Sequence, residues 1–539
     1  MGAAALLLLL RLVIRTALPL DMAPKIIVGN LIVSLLFLLF AFAFLVKKMS
    51  FKETVNVPRA YLWAVLFAGM CTASIFYSYD FPVTLQAAIH LIAIIFFVMA
   101  VMGLLEDKRL HRPTFHIFLL IAVLASAWAV IQYKMLISNE IAPATERSAA
   151  YLINTKRPPS YFGWPNLLAG YLIMVLPLNW VLGFVAKGNV RKAVYFTVAA
   201  LNTVVLYLTL TVASWSSLFV SVCLVFFFIR RDQVIRRHKK FIVTIIAICL
   251  VLAGAVLVKR LITMRDSTVS SFSSRQAYTH NALLLVRDHP FIGNGWNSFD
   301  TITIPMVKNV DERSSHVHNS YLQVWAEIGI IGLVFFLVFV GLLLRDPGKT
   351  FAALDEKKKW VYAGLWAGAA ACAIDNIFSF TMIKCELAAY WWFLAGVLLV
   401  LRQPGKLQGF QLSRAKMGAA CLTIIVAAWF TFRLAVGEHD YFKAMYLLNT
   451  GSPEAAEDYF MEAYRFNPWD RKAFYGQALT YCALFNHTQD TTYLILAKNA
   501  VQEAAKQHTL KRETSGLLEE IDPAMKQLNL DQGNGSPAH

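Results

Sequence analysis

The sequence predicts an all-α fold, a polytopic transmembrane helical bundle, and three observations lead there. Of 539 residues, 58% are hydrophobic and only 15% charged, with a mean hydropathy of +0.54. A soluble chain of this length would divide into several domains with polar surfaces, which this composition does not supply. Apolar runs long enough to cross a hydrocarbon layer of ~30 Å recur along most of the chain. Lys and Arg, finally, are concentrated in alternate connections between those runs.

About 12–13 spans are expected, near 3–20, 26–46, 58–77, 84–105, 113–134, 161–185, 193–213, 215–230, 241–259, 320–344, 360–381, 385–401 and 415–436. The first is interrupted by Arg11 and Arg15. No small-residue cleavage site precedes "LPLDMAPK", so a retained hairpin is expected instead of a removed signal peptide.

Charge then orients the bundle. The connections "KKMSFKETVNVPR", "EDKRLHR", "KGNVRK", "RRDQVIRRHKK", "RDPGKTFAALDEKKK" and "RQPGKLQGFQLSRAK" together hold 25 Lys and Arg, whereas "YSYDFPV" and "TMIKCE" hold one. Positive loops mark the cytoplasmic side. That places the N-terminus in the cytoplasm and, with an odd number of spans, everything after Val436 outside. The net charge of +17 is then an orientation signal, and no nucleic-acid partner is expected.

The domains expected are a transmembrane domain over 1–436, with external loops at about 135–160 and 260–319, a small helical external domain over 437–510, and a partly disordered tail over 511–539. From Gly437 onward the balance inverts, with 9 basic and 14 acidic residues. "PEAAEDYFMEAYRFNPWDRKAFYGQALTYCALF" spaces small and aromatic residues at helical intervals. It resembles a tetratricopeptide-type hairpin broken at Asn467-Pro468, with a further helix near 491–508. One repeat does not bury a core of its own, so it is expected to pack on its neighbours or on a protein partner.

The seven cysteines lie in spans or at their edges, apart from Cys482, and show no CxxC or Cys/His spacing. Neither a structural disulfide nor a thiolate-held metal is expected. His316 and His318 form His-x-His, but no carboxylate or third histidine is spaced to complete a metal site.

The external loops carry the polar residues of interest. Arg157 stands ahead of "PPSYFGWPNLLAGY", and Arg275 opens "RQAYTHNALLLVRDHPFIGNGWNSF", which ends in the turn "GNGW". His318 and Asn319 sit where the chain enters the span at Ser320. External loops are poor in arginine, so Arg157, Arg275 and His318 are candidate partners in one external cavity. Each also has a structural reading. His318 and Asn319 suit a helix cap, Gly329 and Gly332 suit close helix packing, and interfacial arginines commonly anchor at headgroup level. Asp375 is an intramembrane carboxylate, costly unless paired; it either orients His318 or an arginine, or bonds Asn376 and a neighbouring helix. Glu327 is expected to make a buried polar contact that holds its span, and His316 to support the site.

Three stretches together resemble the superfamily of bacterial O-antigen ligases, O-antigen polymerases and O-oligosaccharyltransferases: "KRPPSYFGWPNLLAGY", "SSRQAYTHNALLLVRDHPFIGNGWNSF" and "HNSYLQVWAEIGIIG", the last holding His318-Asn319 followed by Gly329-Ile-Ile-Gly332. The similarity covers roughly residues 20–400. It implies transfer of a glycan from an undecaprenyl-diphosphate carrier at the outer face of the bacterial cytoplasmic membrane. On that resemblance Arg157 and Arg275 match diphosphate-binding arginines and His318 matches the catalytic histidine. The acceptor is a lipid, a protein or another glycan. One departure is Ser214-Trp215-Ser216, where the family often has Ser-Arg-Gly.

The chemistry is coherent. A glycosyl diphosphate carries its own leaving group, so fixed guanidinium groups suffice for the departing charge and no metal or cofactor is expected. Neutral imidazole, with an unperturbed pKa of ~6.5, is suited to take the acceptor's proton. Polymerisation of carrier-linked repeats uses the same residues. A transporter of lipid-linked sugars would instead be expected to show repeats and a midplane site. A scaffold would leave the arginines unexplained.

Overall fold

The computed structural model describes residues 3–4, 7–8, 23–138, 156–230, 232–265, 271–306, 314–383, 385–402, 409–507 and 510–528. Most of the expected first span, the middle of the 135–160 loop, parts of the 260–319 loop and the end of the tail lie outside these residues. The chain is an all-α polytopic membrane protein. Among the described residues nine helices are long and apolar enough to cross a membrane.

The first half of the bundle contains α1 (Ala23–Ser50), α2 (Arg59–Ala73), α3 (Phe81–Leu104), α4 (His111–Ser138), α5 (Pro165–Val185), α6 (Asn189–Leu208) and α7 (Val212–Ile229). The short α8 (Gln233–Arg237) leads into α9 (Lys239–Arg265), and α10 (Ser271–Asp288) and α11 (Phe299–Thr303) follow. Then come α12 (Ser320–Leu344), α13 (Pro347–Ala353), α14 (Glu356–Asp375), α15 (Cys385–Leu401) and α16 (Arg414–Asn449). Polar residues start several of them: Asp80 accepts from the Val83 amide with Pro82 in the first turn of α3, and Asp355 accepts from the Lys358 amide at α14.

Three expected spans depart from the nine. The segments near 193–213 and 360–381 are helical, as α6 and α14, but Arg191, Lys192 and Lys357 to Lys359 occupy their first turns. The segment near 385–401 is apolar but short, Leu387–Leu401. α14 has little need of lipid-facing side chains. Gly364 and Gly368 let it lie directly on the α5 backbone at Pro177–Leu178 and Met174. Peripheral α9, by contrast, exposes Leu250 and Val251, as a lipid-facing helix does.

Contacts sort the connections to two ends. At one end β1 (Val55–Pro58) pairs antiparallel with β2 (Gly409–Leu412), and Lys359 bridges Asp232 at 2.7 Å. Four of the basic connections therefore meet there. At the other end, Tyr79 donates its amide to the Asn294 carbonyl at 3.1 Å, and the Tyr77 hydroxyl donates to the Ile292 carbonyl at 2.8 Å. The 290–296 turn thus caps the entry of α3.

The helix of the last expected span runs past 436, as α16 continues unbroken to Asn449. Four further helices follow: α17 (Pro453–Phe466), α18 (Lys472–Thr488), α19 (Thr492–Ala505) and α20 (Lys511–Gln527). The last lies where a partly disordered tail was expected. Leu517, Ile521 and Met525 bury one of its faces against Leu494, Ala497 and Val501, and that burial orders the segment. Trp469 reaches back to Phe430 and Phe81, so these helices dock at the same end as the 290–296 turn.

Candidate functional site

The site grows from a break in α12. Gly329 adopts φ 71°, ψ −178°, a conformation essentially reserved for glycine. The ladder opens there and the 290–295 turn fills the gap. Asn294 and Gly295 donate their amides to the Glu327 carbonyl at 2.9 and 2.8 Å, and the Ile330 amide donates to the Pro290 carbonyl at 2.9 Å. The backbone groups freed by the break are thereby satisfied at membrane depth. Gly293 and Gly329 permit the approach, since a Cβ on either would overlap the opposing backbone. Gly332 serves its own helix instead, leaving room for the Ile328 side chain.

Upstream of Ser320 the chain makes a tight turn. His318 takes a left-handed φ of 59°. Asn319 caps α12, its side-chain oxygen accepting the Tyr321 and Leu322 amides at 3.1 Å each. Of the expected cap pair, only Asn319 caps. Ser320 latches the turn to the end of α14: its amide donates to the Asn376 and Ser379 carbonyls at 2.9 and 3.0 Å. Its hydroxyl donates to Asn376 Oδ1 at 2.6 Å.

His318 is half-buried as a residue, yet its Nδ1 is sealed from solvent and has no hydrogen-bond partner. Its ring stacks on Tyr278, centroids 5.8 Å apart, and meets the Phe380 ring edge-on at 4.8 Å. Burial, and after it the positive charge of Arg275, pushes the imidazole down to about 3. The side chain is neutral at any ordinary pH.

Arg275 and Tyr278 are three residues apart on α10, hence on one face. Arg275 lies within electrostatic reach of both His318 and Asp375. Asp375 is 1% exposed. One of its oxygens accepts from the Ser214 hydroxyl at 2.8 Å, while Oδ2 is buried and accepts no hydrogen bond. Ser214 belongs to the departing Ser214-Trp215-Ser216 triplet, so its hydroxyl ties α7 to the site. Arg157 is 6% exposed and is held by the turn just before α7, where its side chain donates to the Thr209 carbonyl and to Thr211 Oγ1. Arg275, His318 and Asp375 are therefore gathered together, and Arg157 sits on the turn that leads to Ser214.

A second polar group flanks them. Gln323, 1% exposed, donates from Nε2 to Glu327 Oε1 at 3.0 Å and lies 3.1 Å from His316 Nδ1. Its Oε1 accepts the Val317 amide at 3.2 Å. The Glu327 carboxylate also accepts the Asn297 and Phe299 amides at 2.8 and 3.3 Å. The sequence reading passed over Gln323, Tyr278, Phe380 and Ser320. For Gln323 a signal existed: it falls one helical turn after Asn319 and one before Glu327.

Comparison with known proteins bears on this arrangement. Residues 197–337 match the family model of the O-antigen ligase. The resemblance read from the motifs holds across that segment, which runs from α6 into α12 and includes Arg275, His316, His318, Glu327, Gly329 and Gly332. Arg157 and Asp375 lie outside it. No curated protein matches the chain significantly.

Proposed function

We propose that the chain transfers a glycan from an undecaprenyl-diphosphate carrier to an acceptor hydroxyl at the outer face of a bacterial cytoplasmic membrane. The observation that carries this reading is the gathering of Arg275, His318 and Asp375 at the broken helix, within or beside the ligase-family segment. The acceptor oxygen attacks the anomeric carbon as the bond from that carbon to the diphosphate oxygen breaks. The acceptor's proton passes to neutral His318, and the electron pair leaves with the carrier diphosphate.

Arg275, with Arg157, grips the diphosphate. The guanidinium remains charged and offers paired donors to phosphate oxygens, and in this half-buried setting its charge is weakly screened. Asp375 holds Arg275 in readiness through charge, and Ser214 holds Asp375. His318 is a weak base in the resting site first because it is buried and then because Arg275 is next to it. An arriving diphosphate neutralises that charge and raises the imidazole's affinity for the proton it must take.

The orientation follows from charge. The end carrying the paired basic connections is cytoplasmic, so the His318 end, and α17 to α20 with it, face outward. Polymerisation of carrier-linked repeats uses the same steps with a glycan acceptor. A single-turnover assay in reconstituted membranes tests both readings. Label leaves the carrier with wild-type protein and stays on it with His318→Ala and Arg275→Ala; a single shifted acceptor band marks a ligase and a ladder marks a polymerase. Full transfer by His318→Ala overturns the base assignment.

A further inference from the structure

The buried chain Glu327–Gln323–His316 has no step assigned to it above, yet it costs the fold a carboxylate and a carboxamide at membrane depth. The Val317 amide only donates, so Gln323 Oε1 accepts it and Nε2 is the atom turned toward Glu327 Oε1. His316 Nδ1 lies 3.1 Å from that nitrogen and 3.3 Å from Oε1. The Glu327 oxygens hold the Asn297 and Phe299 amides, and its carbonyl holds Asn294 and Gly295. One residue thus registers the segment that follows α10, and through Gln323 it registers the 316–317 backbone too.

The far end of the chain reaches His318 through an aromatic ring. His316 stacks on Phe380 at 4.2 Å and 19°, and His318 meets the same ring edge-on at 4.8 Å. Val317 between them is 1% exposed and packs with Tyr278, Ala282 and Phe299. We propose that Gln323 is a positioning residue: by joining Glu327 to His316 and the Val317 amide, it fixes the His318 ring relative to Arg275. This rests on the role proposed for His318. The registry itself is a separate claim about the 316–319 turn, with its own readout.

The test uses the full chain in lipid nanodiscs with undecaprenyl-diphosphate-linked oligosaccharide as probe. Gln323→Met keeps length and removes every side-chain hydrogen bond. His316→Phe keeps the stack on Phe380 and removes the Nδ1 contact with Gln323, reading the same chain from its other end if Gln323→Met does not fold. In both, single-turnover transfer falls on the order of 100-fold, the loss expected for a group displaced by about 1 Å. Donor affinity stays within about two-fold of wild type, because no group that binds donor has changed. Hydrogen exchange at the 316–322 amides accelerates. Unchanged transfer in either folded variant overturns the proposal, as does loss of donor affinity equal to the loss of rate. If His318→Ala proves fully active, the base assignment fails, and exchange alone decides the registry: faster exchange sustains it and unchanged exchange overturns it.

Discussion

Gly329 in the membrane span and Phe291 in the 290–295 turn pack so closely that a Cβ on the glycine would overlap the Phe291 carbonyl. That contact links the depth of the span to the surface loop, and everything at the site is built outward from it. Gly329→Ala meets two penalties together. Its φ of 71° with ψ near 180° strains any L-residue by about 1–3 kcal/mol, and the turn must also retreat. The expected result is a fall in melting temperature together with loss of transfer. Gly332→Ala, which meets only the flexible Ile328 side chain of its own helix, has the milder effect. Thermal unfolding of the two variants in the same detergent checks the order.

His318 gives the pH dependence a definite sign. Its imidazole is held at about 3 in the fold, below the ~6.5 of an unfolded histidine. A group depressed in this way contributes stability that is complete above ~6.5 and is lost as pH falls below it, because the unfolded chain binds the proton first. Wild type therefore loses stability between about pH 6.5 and 4, and His318→Phe, which does not titrate, loses less. Unfolding midpoints measured across that window give the comparison. Equal slopes would contradict the buried neutral imidazole.

Ser214 and Asp375 form a pair across α7 and α14 at 2.8 Å. Ser214→Ala leaves a buried carboxylate without its hydroxyl donor, at a cost of about 1–3 kcal/mol. Asp375→Ala removes the same bond from its other side, and with it the charge beside Arg275. The two losses are expected to be less than additive, since each removes the same bond. A double-mutant cycle on unfolding free energy, with single-turnover transfer measured on the same four proteins, separates the bond from the charge.

How much of this was legible in the sequence depends on whether the cause is local. Hydropathy and the alternation of basic loops identify a polytopic helical bundle because span length and loop charge are properties of short segments. His318, Arg275 and Glu327 stood out because ionisable groups beside lipid require a reason. Two things were hidden. Gln323 is an ordinary polar residue until the turn that brings His316 is folded over it, and Ser214 gains its meaning only from Asp375, distant in sequence. α14 is the inverse case. Its Lys-rich start and Gly/Ala body give it little hydropathy of its own, and it runs between the two ends sheltered by α5 and α7.

The helices after α16 offer a prediction independent of glycan chemistry. Lys472 is surrounded by Glu438 and Asp470, at 2.5 and 3.1 Å, with the Tyr441 ring 4.8 Å from its ammonium. Burial opposes its charge, but the two carboxylates outweigh that and raise its pKa above the ordinary lysine value. Lys472→Met leaves Glu438, 6% exposed, as an uncompensated buried anion, and breaking such a pair costs about 3–5 kcal/mol. Trp469, three residues earlier, is the wedge against Phe81 and Phe430. Undocking therefore begins at this corner, and limited proteolysis should cut Lys472→Met between α16 and α18 faster than wild type. Adding Glu438→Leu removes the stranded charge and restores resistance. If the double variant is cut as fast as the single one, the buried charge is not what holds α18 to α16.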